Sequence, residues 1–176
     1  MKQLTITMKK IFLLVVLLVA FTSCEEDIKL NNPSLQVMKD DVLLRTVHPQ
    51  VLQNIDGSIT IIGEYGFETL SLTVASRNPG TYKFGVDNTN IAYYKYDEEG
   101  LVLEYSTIEG IDNPELEDDL GELIIYPATH PKASPIEGTI SGEFKFRGKI
   151  LHDSTLGEPN IFFHQGTFYN LVVELP

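Results

Sequence analysis

The segment Glu68-Thr-Leu-Ser-Leu-Thr-Val-Ala75 alternates strictly between apolar and polar side chains. Leu70, Leu72 and Val74 point to one face of an extended chain, and the polar residues between them point to the other. A period of two is typical of a β-strand with one buried face. The segment therefore predicts a strand that packs on a core.

A second segment, residues 139–147, alternates in the same way. Its predicted inward residues are Ile140, Gly142, Phe144 and Phe146, and its predicted outward residues are Ser141, Glu143, Lys145 and Arg147. Hairpin turns are predicted at Lys39-Asp40-Asp41, at Asp56-Gly57 in a type I′ turn with two positive φ angles, and at Asp97-Glu98-Glu99-Gly100. These patterns predict an all-β domain, an antiparallel β-sandwich or open barrel of about ten short strands.

The N-terminal pattern at positions 8–24 is of another kind. Two lysines precede 11 consecutive apolar residues, which is shorter than the roughly 20 needed to span a bilayer and fits a secretory signal. Phe21, Thr22 and Ser23 stand directly before Cys24, the only cysteine. This arrangement resembles a bacterial lipoprotein box, in which the signal peptidase cuts before the cysteine and its thiol is lipidated. An ordinary signal peptide is the alternative.

The predicted organisation follows from that cleavage. Residues 1–23 are a signal peptide, residues 24–34 a lipidated tether and residues 35–176 a single β domain. The expected partner is the membrane, which the protein binds through diacylglycerol and acyl chains on Cys24. Two or three such chains hold a protein at a membrane almost permanently. Glu25, Glu26 and Asp27 are similar to the surface-export signal of Bacteroidota lipoproteins, or are a solvated linker. The predicted location is the outer membrane, with the outer surface favoured over the periplasmic face.

The charge of the mature chain argues against two classes of partner. Cleavage removes three of the 13 basic residues and none of the 25 acidic ones, which leaves a net charge of about −15. Such a surface argues against binding to nucleic acid and against electrostatic adhesion to anionic lipid. With the cysteine lipidated, no disulfide forms within the chain, and the core alone must stabilise the fold.

Three groups of residues are candidate sites. Tyr94 and Tyr96 share a strand face and would suit stacking on sugar rings if exposed, although tyrosines also stabilise sheets as structural pairs. An acidic loop offers Asp112, Asp118 and Asp119 as a weak calcium candidate, against the alternative of a solvated loop. Asp153-Ser154-Thr155 resembles a short O-glycosylation site of Bacteroidota envelope proteins, with Ser154 as the acceptor.

The residues of nucleophilic and metal catalysis do not form a recognised pattern. Ser141 is not in a strand-to-helix elbow, and His48, His130, His152 and His164 lack ligand spacing. An enzyme would need a cleft that collects Glu104, Glu109 and Asp153 from separate loops. No cofactor, no metal and no catalytic residue is therefore expected.

The order of the segments resembles a family of uncharacterised Bacteroidota lipoproteins, a domain of unknown function. The segments that carry the resemblance are Thr69-Leu-Ser-Leu-Thr-Val74, Gly80-Thr-Tyr-Lys-Phe84, Asn90-Ile-Ala-Tyr-Tyr94, Gly138-Thr-Ile-Ser-Gly-Glu-Phe-Lys-Phe146 and Gly166-Thr-Phe168. The tryptophan expected after the first hairpin is absent. The resemblance implies an all-β fold and transfers no catalytic residues.

The sequence thus predicts an acidic outer-membrane lipoprotein that acts as a non-catalytic binding or envelope structural module. The alternative is a surface accessory protein of nutrient uptake that captures a glycan or other ligand. A hydrolase is the third interpretation. The expected partners are a glycan or an envelope protein.

Overall fold

Strands build the domain in the computed structural model, which describes residues 32–46, 48–86, 88–108, 120–152 and 156–176. The strands are β1 (Ser34–Lys39), β2 (Val42–Thr46), β3 (Gln50–Gln53), β4 (Ile59–Tyr65), β5 (Glu68–Val74), β6 (Gly80–Lys83), β7 (Ile91–Glu98), β8 (Leu101–Ser106), β9 (Gly121–Ile125), β10 (Thr139–Ile150) and β11 (Asn160–Val172). In the part of the chain described, no helix has the length and apolar character to span a bilayer. The all-β prediction is confirmed.

All the strands pair into one antiparallel sheet that curls on itself. Its order is β2-β1-β11-β10-β8-β7-β5-β4-β3, with β9 beside β10 and β6 beside β9. Just after β11, the backbone amide of Glu174 donates to the carbonyl of Val51 on β3 (2.8 Å), and Gln53 donates back to Glu174 (2.9 Å). Because β3 is the last strand of the path and β11 is the third from its other end, this contact brings distant strands of the path together, and the curled sheet forms an open barrel.

Two of the three predicted turns form tight hairpins, and a third tight hairpin lies at Gly66-Phe67, between Tyr65 and Glu68. Asp40 and Asp41 have φ angles of 43° and 68°, and Glu99 and Gly100 have 48° and 92°, as a type I′ turn requires at its two central residues. The prediction of a type I′ turn at Asp56-Gly57 is wrong. There only Gly57 has a positive φ, and a longer loop is closed by a hydrogen bond from the Asn54 amide to the Ser58 carbonyl.

The inner face of the curled sheet holds the core. Leu70, Leu72 and Val74 of β5 are fully buried, as their alternation predicts. Next to them Phe146 and Phe163 stack with ring centroids 4.4 Å apart. Each such side chain contributes roughly 1.5–3 kcal/mol on burial, which a domain without a disulfide requires.

Strand β11 carries two bulges that bend the sheet. Its register against β10 shifts between Phe144 and Phe146 and again between Ile140 and Gly142. Each shift inserts one extra residue on β11 near a positive φ, at Gln165 (52°) and at Asn170 (56°). A bulge increases the local twist and re-aims the side chains beside it, so Gln165 and Thr167 are both exposed.

The second bulge overturns one prediction for β10. Phe144 and Phe146 are buried and Lys145 is exposed as expected, but Ser141 is only 3% exposed instead of outward. The connection at 126–138 covers it, and its Oγ accepts the backbone amides of Ser134 and Asn170, each at 3.1 Å.

Candidate functional site

The tyrosines predicted to stack on a ligand do not form an exposed row. Tyr94 is 2% exposed, and its ring packs against Phe163 with centroids 5.2 Å apart. Its hydroxyl accepts a hydrogen bond from Lys39 Nζ at 2.9 Å. The ring faces the inside of the curled sheet, where a large side chain is needed to fill the core, so it cannot contact a surface ligand.

Tyr96 lies on the same face of β7, half-buried against the edge of the core. Its hydroxyl donates to the Glu98 carboxylate. Tyr96 therefore packs at the edge of the core, as in the structural alternative that the sequence left open.

Several predicted site residues lie outside the described residues. They are Phe21, Thr22, Ser23, Cys24, Glu25, Glu26, Asp27, Glu109, Asp112, Asp118, Asp119, Asp153 and Ser154.

Of the three acidic residues that a catalytic cleft would need, only Glu104 is described. It accepts a hydrogen bond from the Tyr93 hydroxyl, and His152 Nε2 lies 3.4 Å from its Oε2. Within the described ranges, no three His, Cys, Asp or Glu side chains are grouped so that they could hold a metal ion.

Polar side chains from three neighbouring strands gather instead on the outer face of β9, β10 and β11. We call this surface the outer track. It consists of Glu122, Ile124 and Tyr126 from β9 and its end, Glu143, Lys145 and Arg147 from β10, and Phe162, Gln165 and Thr167 from β11. Three adjoining depressions follow it along the strands.

The first depression, of about 250 Å³, lies beside Phe162 and Arg147, which face each other across β11 and β10. Phe162 is 50% exposed. Lys145 lines this depression and the next one as well, so the two adjoin at that side chain.

The central depression, of about 340 Å³, has polar walls and an apolar floor. Glu122, Glu143, Gln165 and Thr167 line the walls, and Phe144 and Gly166 form the floor. Lys145 Nζ lies 3.3 Å from Glu122 Oε1. The bulge on β11 turns Gln165 into this space, since strict alternation from the buried Phe163 would turn it inward.

The third depression, of about 430 Å³, lies between β9, the start of β10 and the proline-rich connection. Tyr126 on its wall donates a hydrogen bond to Glu143 Oε2 at 2.7 Å, which joins this depression to the central one. Burial, together with the hydrogen bond and charge of Glu143, raises the pKa of Tyr126 to about 12. The His130 ring stacks on Tyr126 with centroids 3.9 Å apart.

The outer track is suited to holding a ligand by many weak polar contacts. Its cations and carboxylates are balanced, with Lys145 and Arg147 against Glu122 and Glu143. Two of its carboxylates are oriented by neighbours, one by Lys145 and one by Tyr126. Such supported side chains present fixed acceptors to a ligand.

The family model for a domain of unknown function (DUF6252) matches residues 31–172. The chain belongs to this family. No curated protein and no solved structure matches it. The DUF6252 match spans every strand from β1 to β11, and the outer track lies wholly within it.

Part of the outer track of this DUF6252 domain could be found from sequence. The alternation of residues 139–147 places Glu143, Lys145 and Arg147 outward, where the structure has Lys145 exposed and the other two partly buried. The contribution of Phe162 and Gln165 could not be found, because it depends on the pairing of β11 with β10 and on a bulge.

Proposed function

We propose that the protein is a lipoprotein anchored to the outer membrane through Cys24, and that its β domain acts by binding rather than by catalysis. The lipoprotein pattern at positions 8–24 supports the anchor. Glu25, Glu26 and Asp27 directly behind the cysteine, together with the net charge of about −15, support a domain that stands in solvent rather than on the lipid surface.

The outer track is the observation that carries the binding function. It offers three adjoining depressions on one exposed sheet face, each lined by side chains from two or three strands. Its carboxylates are engaged by Lys145 and Tyr126. Carboxylates held in this way present acceptors at fixed positions to a ligand.

The anchor is tested by labelling cells that express the full chain with radioactive palmitate. We expect label in the wild-type protein and none in Cys24→Ser, which should stay unprocessed or be released to a soluble fraction. A Cys24→Ser protein that remains membrane-bound at mature size would show that the anchor is wrong.

We further propose that the domain lies on the outer surface of the outer membrane. This location is tested by treating intact cells with protease and following the mature domain with an antibody. Loss of the band places the domain on the outer surface, as we propose. Survival until the outer membrane is opened places it in the periplasm, and would contradict the surface location while leaving the anchor intact.

A further inference from the structure

We propose that the outer track binds a neutral oligosaccharide chain laid along β10. This inference rests on the proposed binding function and names its ligand class. It moves the sugar-binding surface from the middle strands to β9, β10 and β11, because Tyr94 is buried in the core.

The length of the outer track requires a chain rather than a single sugar. It runs along β10 from Arg147, opposite Phe162, to Glu143, and the hydrogen bond from Tyr126 to Glu143 joins it there to the third depression. Four steps of strand at roughly 3.3 Å each give about 13 Å from Arg147 to Glu143, and the third depression extends the surface beyond Glu143. Three adjoining depressions along this length provide successive positions for the units of an extended polymer.

The charge of the outer track favours a neutral ligand. Its three depressions are lined by three cations, Arg77, Lys145 and Arg147, and by three carboxylates, Glu122, Glu137 and Glu143. They lie on a mature chain that carries about −15. A polyanion would be repelled by the chain as a whole and by Glu122 and Glu143. A polycation would have to approach Lys145 and Arg147, so neither polymer is complementary to the whole surface.

The hydrogen-bonding groups match vicinal hydroxyls, which both donate and accept. The Gln165 amide donates and accepts, the Thr167 hydroxyl does both, and the two carboxylates accept. Glu143 uses Oε2 for Tyr126, so its Oε1 stays available to a ligand. Paired donors and acceptors on neighbouring strands can thus bind adjacent hydroxyls of one ring.

Aromatic rings at both ends supply the apolar contacts that the C–H faces of sugar rings need. Phe162 is half-exposed at one end, and Tyr126 with its stacked His130 lies at the other. A sugar ring that covers an aromatic face removes apolar surface from water, which stabilises the complex. Its C–H groups also contact the negatively polarised face of the aromatic ring.

The test is affinity electrophoresis of the full lipidated chain in detergent, in native gels cast with neutral β-1,4-glucan, α-1,4-glucan or β-1,4-mannan. We expect at least one of these polymers to retard the wild type, with competition by its own hexasaccharide. Phe162→Ala and Gln165→Ala should each weaken the retardation by about threefold to tenfold.

Phe67→Ala is the matched control. Phe67 is 58% exposed, as open as Phe162, but lies in the turn between β4 and β5. We expect this variant to be retarded like the wild type, and melting curves of all variants to show a folded domain.

Three outcomes would overturn the inference. They are no retardation by any neutral polymer, equal loss in Phe162→Ala and Phe67→Ala, or stronger retardation by polygalacturonate. If instead a peptide array binds and Phe162→Ala abolishes that binding, the ligand class is wrong and the proposed binding function stands. Palmitate labelling of Cys24 remains a separate readout of the anchor.

Discussion

Phe168 on β11 lies directly across from Gly142 on β10, and its ring occupies the space that a side chain at position 142 would need. A Cβ built on Gly142 would lie 2.5 Å from Phe168 Cζ and 1.9 Å from the carbonyl oxygen of Ile124 on β9. Two residues further along, Phe144 covers Gly166 in the same way with the strands exchanged. The two pairs let neighbouring strands pack closely, and Phe144 and Gly166 form the floor of the central depression.

We expect Gly142→Ala to lower the free energy of unfolding by at least about 2 kcal/mol, because the new methyl group meets backbone on one side and a packed ring on the other. Urea denaturation followed by circular dichroism measures this. Gly80→Ala on β6 is the control, since its Cβ meets nothing closer than 4.0 Å, and it should change stability by less than about 1 kcal/mol. Equal effects of the two substitutions would contradict the close approach.

Lys39 and Glu68 form an ion pair inside the end of the curled sheet, with side chains only 18% and 14% exposed. Removing one partner leaves the other charge poorly solvated, so Lys39→Met should cost about 3 kcal/mol. Glu68→Leu in the same background should restore much of that loss, since two apolar side chains replace the pair. A double-mutant cycle by urea denaturation checks this. Strictly additive losses would show that the pair is not coupled.

The fold was predictable where one face of a strand is apolar and the other polar. In β5 the alternation of Leu70, Leu72 and Val74 specifies the buried face without help from the rest of the chain. The sites of the hairpins at Asp40-Asp41 and Glu99-Gly100 were also visible, because short polar residues and glycine mark turns. Asp56-Gly57 carries the same signal, but tertiary context there selects a longer loop.

The errors arise where the decisive information is not local. The sequence leaves the role of Tyr94 and Tyr96 open for the same reason: they share a face of β7, but both faces of that strand carry tyrosine, so a period of two does not specify which face is inside. Gln165-Gly166 predicts a break between two strand segments, 161–163 and 167–175, but the structure has one strand there with a bulge. The bulge at Asn170 has a positive φ without a glycine beside it, so composition gives no sign of it. Ser141 is buried only because Asn170 and the proline-rich connection close over it.

The tyrosines should make the domain sensitive to alkaline pH. Burial is the main cause that raises the pKa of Tyr65, Tyr93, Tyr94, Tyr105 and Tyr126 above the ordinary value of 10.0. A folded-state pKa above the unfolded one contributes stability that is complete below pH 10 and is lost as pH rises through the folded pKa. We therefore expect stability to fall steeply between pH 10 and 12, with tyrosinate absorbance rising together with unfolding.

Tyr126→Phe tests the part of this effect that belongs to the outer track. The variant lacks a group whose folded pKa is about 12, so its stability should decline less steeply with pH above 10 than that of the wild type. Urea midpoints measured at intervals from pH 8 to pH 12 give the slopes. Identical slopes would show that Tyr126 titrates normally in the folded chain.

Ser141 should hold the proline-rich connection against the sheet, because its hydroxyl accepts two backbone amides from separate parts of the chain. Ser141→Ala removes the acceptor that the backbone amides of Ser134 and Asn170 share and should cost about 1–3 kcal/mol. Hydrogen exchange by mass spectrometry should show faster exchange over residues 127–138 while β5 stays protected. Ser71→Ala, on the polar face of β5, is the control and should change neither stability nor exchange. Unaltered exchange over 127–138 in Ser141→Ala would mean that the connection is held by its other contacts, such as the bond from Ser134 Oγ to Asn170 Oδ1 at 2.8 Å.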